Sequence, residues 1–474
     1  MLYPTHYKLP FLYDYVLPNF VLPNALNNEY GIINYLHTLY SNKVKENCYS
    51  DVGVSNTNTD MFNNNLGRWP TSIRHGGSHL NAPWYPSLEI REDSLYFGKR
   101  NSDNKKYIYP IKITPFIDDF IGINLQVGNK LNGEYFWKNM SMEALIDAQQ
   151  RNAIIFIDYA QENFVERENY VNLHECIRLS GIPKEQIVLA FNSFNAKEIY
   201  ESWFPEEERR LEVKNWPYVM CSSSWHYSQI PYPGRLNIDI FKKTRNTYRK
   251  HYFLFKIRNT RPHRKAILYK LASDNLLEKG DWSCLTECPI KEWEVREFNE
   301  LHGWNLDIEQ IKQIVKVPKN LESEQGIAHA EVSAWTDRHV EAHINSYFYI
   351  CTETFTNKEY KSLTEKVFKP IINFQPFLFV AYAGALTLLR SLGFKTFHPF
   401  IDESYDSEPD EAKRMNMIIA EIHRLCSMSK EQIHEWYWQL EYILIHNHNH
   451  VLKLHKNEPK SLELIKYLHR QVNS

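Results

Sequence analysis

Four features that would each identify a class of protein are missing from this chain. No apolar run is long enough to span a membrane, and prolines and charges interrupt the apolar N-terminus, so we expect neither a signal peptide nor a membrane span. The 7 cysteines are scattered and odd in number, which is typical of reduced thiols in a cytosol and argues against a disulfide framework. The 55 basic and 57 acidic residues nearly cancel, which argues against a surface that coats nucleic acid. No repeat of solenoid period is present.

Residues at metal-ligand spacing are also scarce. Cys284 and Cys288 are the only close pair of cysteines, and no second pair accompanies them. An Asp pair such as Asp118 and Asp119 is more often a turn than a metal site. We interpret the histidines of residues 446–450, which alternate with asparagines in a polar tail, as solvated side chains. We therefore expect no resident metal ion and no cofactor.

What the chain does contain is the composition of a globular protein. Apolar residues make up 43% and charged residues 24%, and the length predicts roughly two to three domains. Residues 1–106 are rich in Asn, Pro, Tyr and Trp and are interpreted as loop. Small, polar and turn residues from Ser222 to Gly234 indicate a linker.

On either side of that linker, buried-strand patterns alternate with helical patterns. This order is typical of parallel, Rossmann-like sheets, which bind ligands at the carboxyl ends of their strands. In the first half we expect a strand pair at 107–117 and 120–127, strands at 153–157, 186–191 and 218–221, and helices at 142–152, 169–180 and 196–203. In the second half we expect strands at 252–255, 347–351 and 377–380 and helices at 266–277, 307–315, 364–374, 385–392, 414–428 and 430–447.

Cations follow the strand at 252–255, immediately before the next helix. The loop and the first helical turn contain Arg258, Arg261, Arg264 and Lys265. A basic loop ahead of a helix N-terminus is where a diphosphate would be neutralised. The alternative is a solvated patch or one that faces nucleic acid.

Carboxylates and hydroxyls follow the strand at 347–351. Glu353 comes at the strand tip, and Thr364, Glu365, Lys366 and Lys369 open the following helix, with Ser362 or Thr364 as its N-cap. Carboxylates suit ribose or sugar hydroxyls, and cations with free backbone N–H groups suit a diphosphate. The pattern therefore suits a sugar nucleotide, and the alternative is a capped surface helix with ordinary charges.

These residues carry a resemblance to a known family. The segments 352–354 and 363–370 resemble the donor-binding segment of the family 10 glycosyltransferases, the α1,3-fucosyltransferase family, and of related phage and bacterial proteins. The segments 389–397 and 401–406 are similar to the phage and bacterial group, in which the tetrapeptide 261–264 (RPHR) recurs. The resemblance covers roughly residues 252–429.

The resemblance implies a GT-B-like α/β fold in which two Rossmann-like domains face a cleft. The N-terminal domain would cover residues 107–235 with the loop-rich residues 1–106, the donor domain residues 250–430, and C-terminal helices residues 431–474. The expected activity is transfer of a sugar from a nucleotide-diphosphate sugar to an acceptor hydroxyl, with inversion and without a required metal. The expected partners are the nucleotide sugar and an acceptor glycan or modified nucleic-acid base. Because the chain lacks the membrane anchor of the animal members, we expect a cytoplasmic protein, in the host cytoplasm if it is viral.

The general base is the part of the mechanism that the resemblance leaves open. It must come from the N-terminal domain, just past the carboxyl end of a strand. Glu162 and Asp158 meet that criterion after the strand at 153–157, and Asp118 and Asp119 meet it less securely. We favour Glu162, because Asp158 could instead cap the next helix. Two alternatives stay open: a transferase that glycosylates modified bases of phage DNA, and a non-catalytic protein that binds a nucleotide sugar.

Overall fold

The computed structural model describes residues 9–13, 95–99, 106–112, 142–159, 167–206, 210–229, 235–286, 288–322, 340–354, 356 and 360–474. The chain divides into two compact units. Unit 1 comprises Met1–Ser222 with Lys456–Ser474, and unit 2 comprises Ser223–His455. Each unit contains a sheet of parallel strands with helices, so the α/β class expected from the sequence is confirmed.

In the described part of unit 1, six parallel strands form a sheet in the order β2-β1-β3-β4-β5-β6. The runs at 153–157 and 187–191 are buried without interruption, as expected for parallel strands covered on both faces. The strands are β1 (Leu9–Tyr13), β2 (Leu95–Lys99), β3 (Tyr107–Lys112), β4 (Ala153–Tyr159), β5 (Ile187–Phe191) and β6 (Glu212–Asn215). The helices are α1 (Met142–Gln149), α2 (Arg167–Ser180), α3 (Ala196–Trp203) and α4 (Tyr218–Gln229), and the division between the units falls within α4.

Unit 2 is built on a second parallel sheet, in which four strands are described in the order β10-β9-β7-β8. These strands are β7 (His251–Ile257), β8 (Gly280–Cys284), β9 (Ser346–Thr352) and β10 (Phe377–Val380). The first helices are α5 (Ile238–Lys243), α6 (Pro262–Ser273), α7 (Glu292–His302), α8 (Ile308–Ile314), α9 (Glu341–Ile344) and α10 (Glu365–Ile372). The later helices are α11 (Ala385–Ser391), α12 (Glu411–Ser427), α13 (Lys430–Gln439) and α14 (Glu441–Asn457), and α15 (Pro459–Asn473) returns to unit 1.

One predicted strand is a helix. Tyr218–Cys221 forms the first turn of α4, which continues to Gln229 through the first part of the segment interpreted as a linker. A capping contact explains the difference: the Oδ1 of Asn192, at the end of β5, accepts a hydrogen bond of 3.1 Å from the backbone N–H of Val219. The strand at this edge of the sheet is instead the charged β6, and an edge strand need not carry an apolar pattern.

Three other strands and three helices, α5, α7 and α9, were missed in the sequence. β1 and β2 lie in the region interpreted as loop, and β8 begins with a glycine. Gly280 is required there because the ring of Phe253, on the neighbouring β7, occupies the space that a Cβ would take. The charged helix α7 lies within a segment that the sequence indicated as irregular.

The alternating histidines of α14 do not form a solvated tail. The side chain of His448 is 2% exposed, and its Nδ1–H donates to the carbonyl oxygen of Ile372 at 2.9 Å. Burial lowers the pKa of His448 to about 4, so the ring is neutral. His446 and His450 bond to the carbonyl oxygens of Gly393 and Leu392 at 2.9 and 2.7 Å.

In the part of the chain that the structure describes, no helix combines the length and the apolar character needed to cross a membrane.

Candidate functional site

Most of the predicted donor-binding residues lie at the end of the unit 2 sheet where the carboxyl ends of its parallel strands meet, called the sheet edge below. The strands β10, β9 and β7 are neighbours and run parallel, so their carboxyl ends meet at the same edge. β7 leads into α6, and β9 leads through Glu353 to α10. Because helices that follow parallel strands begin at this edge, their N-terminal N–H groups face the place where ligands bind such sheets.

Glu353 is the residue on which the strand ends converge. Its side chain is buried, and its two carboxylate oxygens accept bonds from the backbone N–H and the hydroxyl of Thr364, at 3.0 and 2.6 Å. Burial raises the pKa of Glu353, while Lys366 and the bonds from Thr364 act in the opposite direction. As placed, this carboxylate fixes the start of α10, and Glu365 is the better placed of the two carboxylates to meet a ligand.

The start of α10 contains an ion pair between Glu365 and Lys366. Thr364 is its N-cap, as predicted, and accepts a bond from the backbone N–H of Lys366. The Nζ of Lys366 lies 3.0 Å from Oε1 of Glu365, with side chains 25% and 17% exposed. Burial alone would lower the pKa of Lys366, but the charges of Glu365 and Glu353 outweigh it and raise that pKa. Burial alone would raise the pKa of Glu365, and Lys366 and Lys369 lower it.

The start of α6 has no capping side chain. Arg261 stands at its N-cap position, Pro262 follows, and the first turn contains no acidic residue. Arg264 is buried, and its guanidinium donates to the carbonyl oxygens of Asn259 at 3.0 Å and of Glu353 at 3.2 Å. Its Nε–H is enclosed without a partner among the described residues. The backbone N–H groups of Arg264 and Lys265 donate to the carbonyl oxygen of Arg261, both at 3.0 Å, so the N–H of His263 is the open backbone donor among the described residues of this turn. This helix start therefore combines an open backbone donor with cations and has no capping carboxylate.

His263 joins the ends of β7 and β9. Its Nε2–H donates to the carbonyl oxygen of Glu353 at 3.0 Å. Burial, followed by the charges of Arg264 and Arg261, lowers the pKa of His263 to about 4, so the ring is neutral near pH 7. No role was predicted for this residue, although it stands inside the tetrapeptide that carries the resemblance.

The other predicted donor-binding residues are placed differently. Arg258 is exposed in the loop after β7, and Lys369 faces Glu365 along α10. Lys265 turns to α7, where its Nζ lies 2.7 Å from Oε1 of Glu294. Arg264, Glu353, Thr364, Glu365 and Lys366 are thus in mutual contact or in one electrostatic cluster, and Lys265 is engaged in another ion pair.

The predicted general bases lie in unit 1, where Glu162, Asp118 and Asp119 are outside the described residues. Asp158 was expected to come just after the strand, but it is the penultimate residue of β4 and is in register with Ala190 of β5. The next described helix, α2, begins only at Arg167, so the reason for preferring Glu162, that Asp158 would cap the next helix, has no support.

Asp406 is a site residue that the local pattern did not reveal. Its side chain is buried, and its two carboxylate oxygens accept from the backbone N–H groups of Leu386 and Thr387 at 2.8 and 3.0 Å. It thus caps α11, the helix that follows β10 at the same sheet edge. Only knowledge that residues 20 positions apart are in contact could have found it.

No group of three or more His, Cys, Asp or Glu side chains is placed to hold a metal ion among the residues described here.

Comparisons with known proteins give weak likenesses. No family model matches the chain. No curated protein matches it either. The Candida albicans trehalose-6-phosphate phosphatase N-terminal domain is similar at a TM-score of 0.42 and 11% identity, over 98% of this chain and 97% of that one. A structure described as trehalose-6-phosphate from E. coli bound with UDP-2-fluoro glucose is similar at a TM-score of 0.35 and 11% identity, over 81% of this chain and 94% of that one. The resemblance to family 10 stays a prediction.

Proposed function

We propose that the protein is a glycosyltransferase of GT-B type that transfers a sugar from a nucleotide-diphosphate sugar to an acceptor hydroxyl with inversion. In this proposal unit 2 holds the donor and unit 1 supplies the general base. The proposal rests on the geometry of the sheet edge and on the sequence resemblance, and the weak structural likenesses add nothing to it.

The observation that carries the proposal is the uncapped start of α6 beside the paired Glu365 and Lys366. The backbone N–H of His263, which has no acceptor among the described residues, and the neighbouring Arg261 favour an anion at the end of β7. Lys366 lies in the first turn of α10, whose N-cap Thr364 is held by Glu353 just past β9, and it adds a second cation. The half-buried Glu365 is placed to accept bonds from ribose or sugar hydroxyls.

The chemistry assigned to these groups is the stabilisation of a leaving group. A base in unit 1 removes the proton of the acceptor hydroxyl, and the oxygen attacks the anomeric carbon. The bond from that carbon to the diphosphate oxygen breaks, and its electron pair leaves with the diphosphate. The cations and the start of α6 stabilise the negative charge that develops there. Glu162 and Asp158 remain the predicted bases.

The direct test is a panel of UDP-, GDP-, ADP- and dTDP-sugars offered to the purified, folded chain, with binding followed by calorimetry and turnover by release of the nucleoside diphosphate. We expect binding and slow hydrolysis of one donor class. Binding without turnover, even with acceptor glycans or duplex DNA present, would support a non-catalytic binding protein. Absence of binding to every donor would contradict the proposal.

The variants Arg261→Ala and Lys366→Ala localise the binding. Each removes one charge-assisted bond to the diphosphate, so we expect each to lose roughly 1.5–3 kcal/mol of affinity for the matching nucleoside diphosphate, without unfolding. The control is Lys413→Ala, which removes an exposed first-turn cation from α12, a helix start already capped by Asp410. Unchanged affinity in both test variants would mean that these cations are surface charges.

A further inference from the structure

A groove in unit 1 is a second candidate site for a ligand. It has a volume of about 440 Å³, which is in the range of small-molecule sites, and it is lined by α3, α15, the start of β6 and the turn before β5. Glu185 comes just before β5 and Arg210 just before β6, so the groove lies towards the amino ends of these strands. The predicted base Asp158 lies instead near the carboxyl end of β4. The groove is therefore separate from that residue.

Arg210 is the cation that characterises this groove. Its Nε–H and one N–H of Nη2 donate to the carbonyl oxygens of Phe204 and Pro205, at 2.8 and 2.9 Å. No carboxylate pairs with Arg210 in the part of the chain that the structure describes. Because carbonyl oxygens are neutral, the two bonds orient the guanidinium without cancelling its charge. The end of the guanidinium, formed by Nη1 and the other N–H of Nη2, is thus preorganised to bind an oxyanion at two points.

The carboxylates of the groove do not neutralise Arg210. Each of them lies close to a different basic side chain. The pairs are Glu185 with Arg151 at 3.6 Å, Glu201 with Lys197 at 3.9 Å and Glu212 with Lys214 at 2.5 Å. Arg210 therefore has no counterion among the described groups of the groove, and a bound anion would supply one.

The α15 wall of the groove adds hydrogen-bond donors. The hydroxyl of Tyr467 and the side-chain amide of Gln471 line the groove and have no hydrogen-bond partner among the described residues. The Nζ of Lys214 lies 4.0 Å from the centre of the Tyr467 ring, a cation–π contact that holds the ring in place. Burial, followed by the charge of Glu212, raises the pKa of Tyr467, so its hydroxyl keeps its proton. An oriented cation and a protonated hydroxyl thus line the same groove.

We propose that this groove binds a small metabolite whose phosphate or carboxylate group pairs with Arg210, while the Tyr467 hydroxyl donates to another of its oxygens. The inference goes beyond the proposed function and does not depend on it. A ligand held in this way contacts both the start of β6 and α15. We therefore expect it to stabilise the attachment of the C-terminal helix to unit 1 and to slow the local opening of that helix.

The test follows hydrogen exchange of the α15 backbone in the full chain near neutral pH. The probes are glycerol 3-phosphate and malate, two hydroxylated dianions that differ in their acidic group, each added at constant ionic strength. We expect one or both to slow exchange in α15 with a saturable dependence on concentration, and glycerol and sodium chloride to have no such effect. The probe with the lower midpoint concentration identifies the preferred acidic group. An anion at the start of α6 contacts unit 2, so exchange in α15 reports on the groove.

Three variants locate the binding. Arg210→Gln should raise the midpoint concentration at least about tenfold. Because it also removes two bonds to carbonyl oxygens, Tyr467→Phe serves as a second variant, which removes one hydroxyl and should raise the midpoint about three- to tenfold. The matched control is Lys460→Gln. Lys460 also lies on α15 and pairs with Glu463 at 3.2 Å, but it does not line the groove, so the midpoint should not change.

Three results would overturn the inference. The first is unchanged exchange in α15 of the wild type with both probes. The second is equal slowing by sodium chloride, which would mean that salt screening alone is responsible. The third is a wild-type midpoint in both Arg210→Gln and Tyr467→Phe, which would place the anion elsewhere. All three leave the proposed binding of a nucleotide sugar to unit 2 untouched.

Discussion

The helices α6 and α11 begin at the same edge of the same parallel sheet, after β7 and β10, but their first turns are satisfied in opposite ways. At α11 the carboxylate of Asp406 accepts from two backbone N–H groups and from the hydroxyl of Thr387, and Arg390 lies 3.3 Å from it. At α6 no side chain caps the helix, and its first turn contains basic residues and no acidic residue.

The difference shows which of two equivalent positions is available to a ligand. A helix start that already holds a carboxylate of its own chain has no vacant donors and repels a second anion. A helix start with cations in its first turn and no capping carboxylate gains stability when an anion binds. Position at the sheet edge alone would have made α6 and α11 equal candidates.

The largest effect is expected from removing the carboxylate that caps α11. Asp406→Ala leaves two backbone N–H groups of α11 without their acceptor and Arg390 without one of its partners. We expect a loss of about 2–4 kcal/mol in the free energy of unfolding, measured by urea denaturation. The control, Asp410→Ala, removes a cap from the exposed start of α12 and should cost only about 1 kcal/mol. Equal losses in both variants would mean that burial of the Asp406 cap adds nothing.

The second largest effect is expected from adding a capping carboxylate to the start of α6. Arg261 has φ −101° and ψ 157°, the extended geometry of an N-cap residue, so Arg261→Asp places a capping carboxylate on α6. We expect the free energy of unfolding to rise by about 0.5–1 kcal/mol and the affinity for nucleoside diphosphate to fall by about 2–3 kcal/mol.

Arg258→Asp is the matched control, since it makes the same charge reversal in the same loop away from the cap position. It should weaken binding without the gain in stability. Retained nucleotide affinity in Arg261→Asp would place the anion site elsewhere.

A smaller effect concerns the pH dependence of the free energy of unfolding, to which His263 at the start of α6 contributes. The folded-state pKa of His263, about 4, lies below the ordinary value of about 6.5, so the folded protein binds fewer protons than the unfolded chain. The stability that this histidine contributes is complete above pH 6.5 and is lost as the pH falls towards 4, by up to about 2 kcal/mol at pH 5. His263→Gln should flatten the fall in unfolding free energy between pH 7 and 5 by that amount.

His423→Gln, at an exposed histidine paired with Asp274, is the control and should not flatten that fall. The same acid dependence in His263→Gln as in the wild type would contradict the assignment of a neutral, enclosed ring.

The sequence predicted the elements whose signals are local. Thr364 was an expected N-cap because a hydroxyl precedes an amphipathic helix, and β10 was identified at its observed bounds because FLFV is a short apolar run. β8 was not predicted because it begins with Gly280, and a glycine is needed there only because the ring of Phe253 on the neighbouring strand occupies the space of a Cβ. A propensity pattern contains no record of such a contact.

The residues of the candidate site also fall into two groups, those with a local sequence signal and those that depend on contacts between distant segments. Its members that follow a strand tip or open a helix, such as Arg261, Glu353 and Lys366, could be predicted from their order in the chain. The capping of α11 by Asp406 and the enclosure of His263 depend on contacts between distant segments. Those contacts decide which of the predicted groups is engaged inside the protein and which is open.

The row of side chains on α14 has a consequence for the order in which the protein assembles. His448 binds the end of α10 across 76 residues of chain, and His450 binds the end of α11 across 58. These are the carboxyl ends of two helices whose opposite ends lie at the candidate site. During synthesis, which proceeds from the N-terminus at about 5–20 residues per second, both helices wait for several seconds before these contacts can form. These two contacts therefore form only after α14 has left the ribosome.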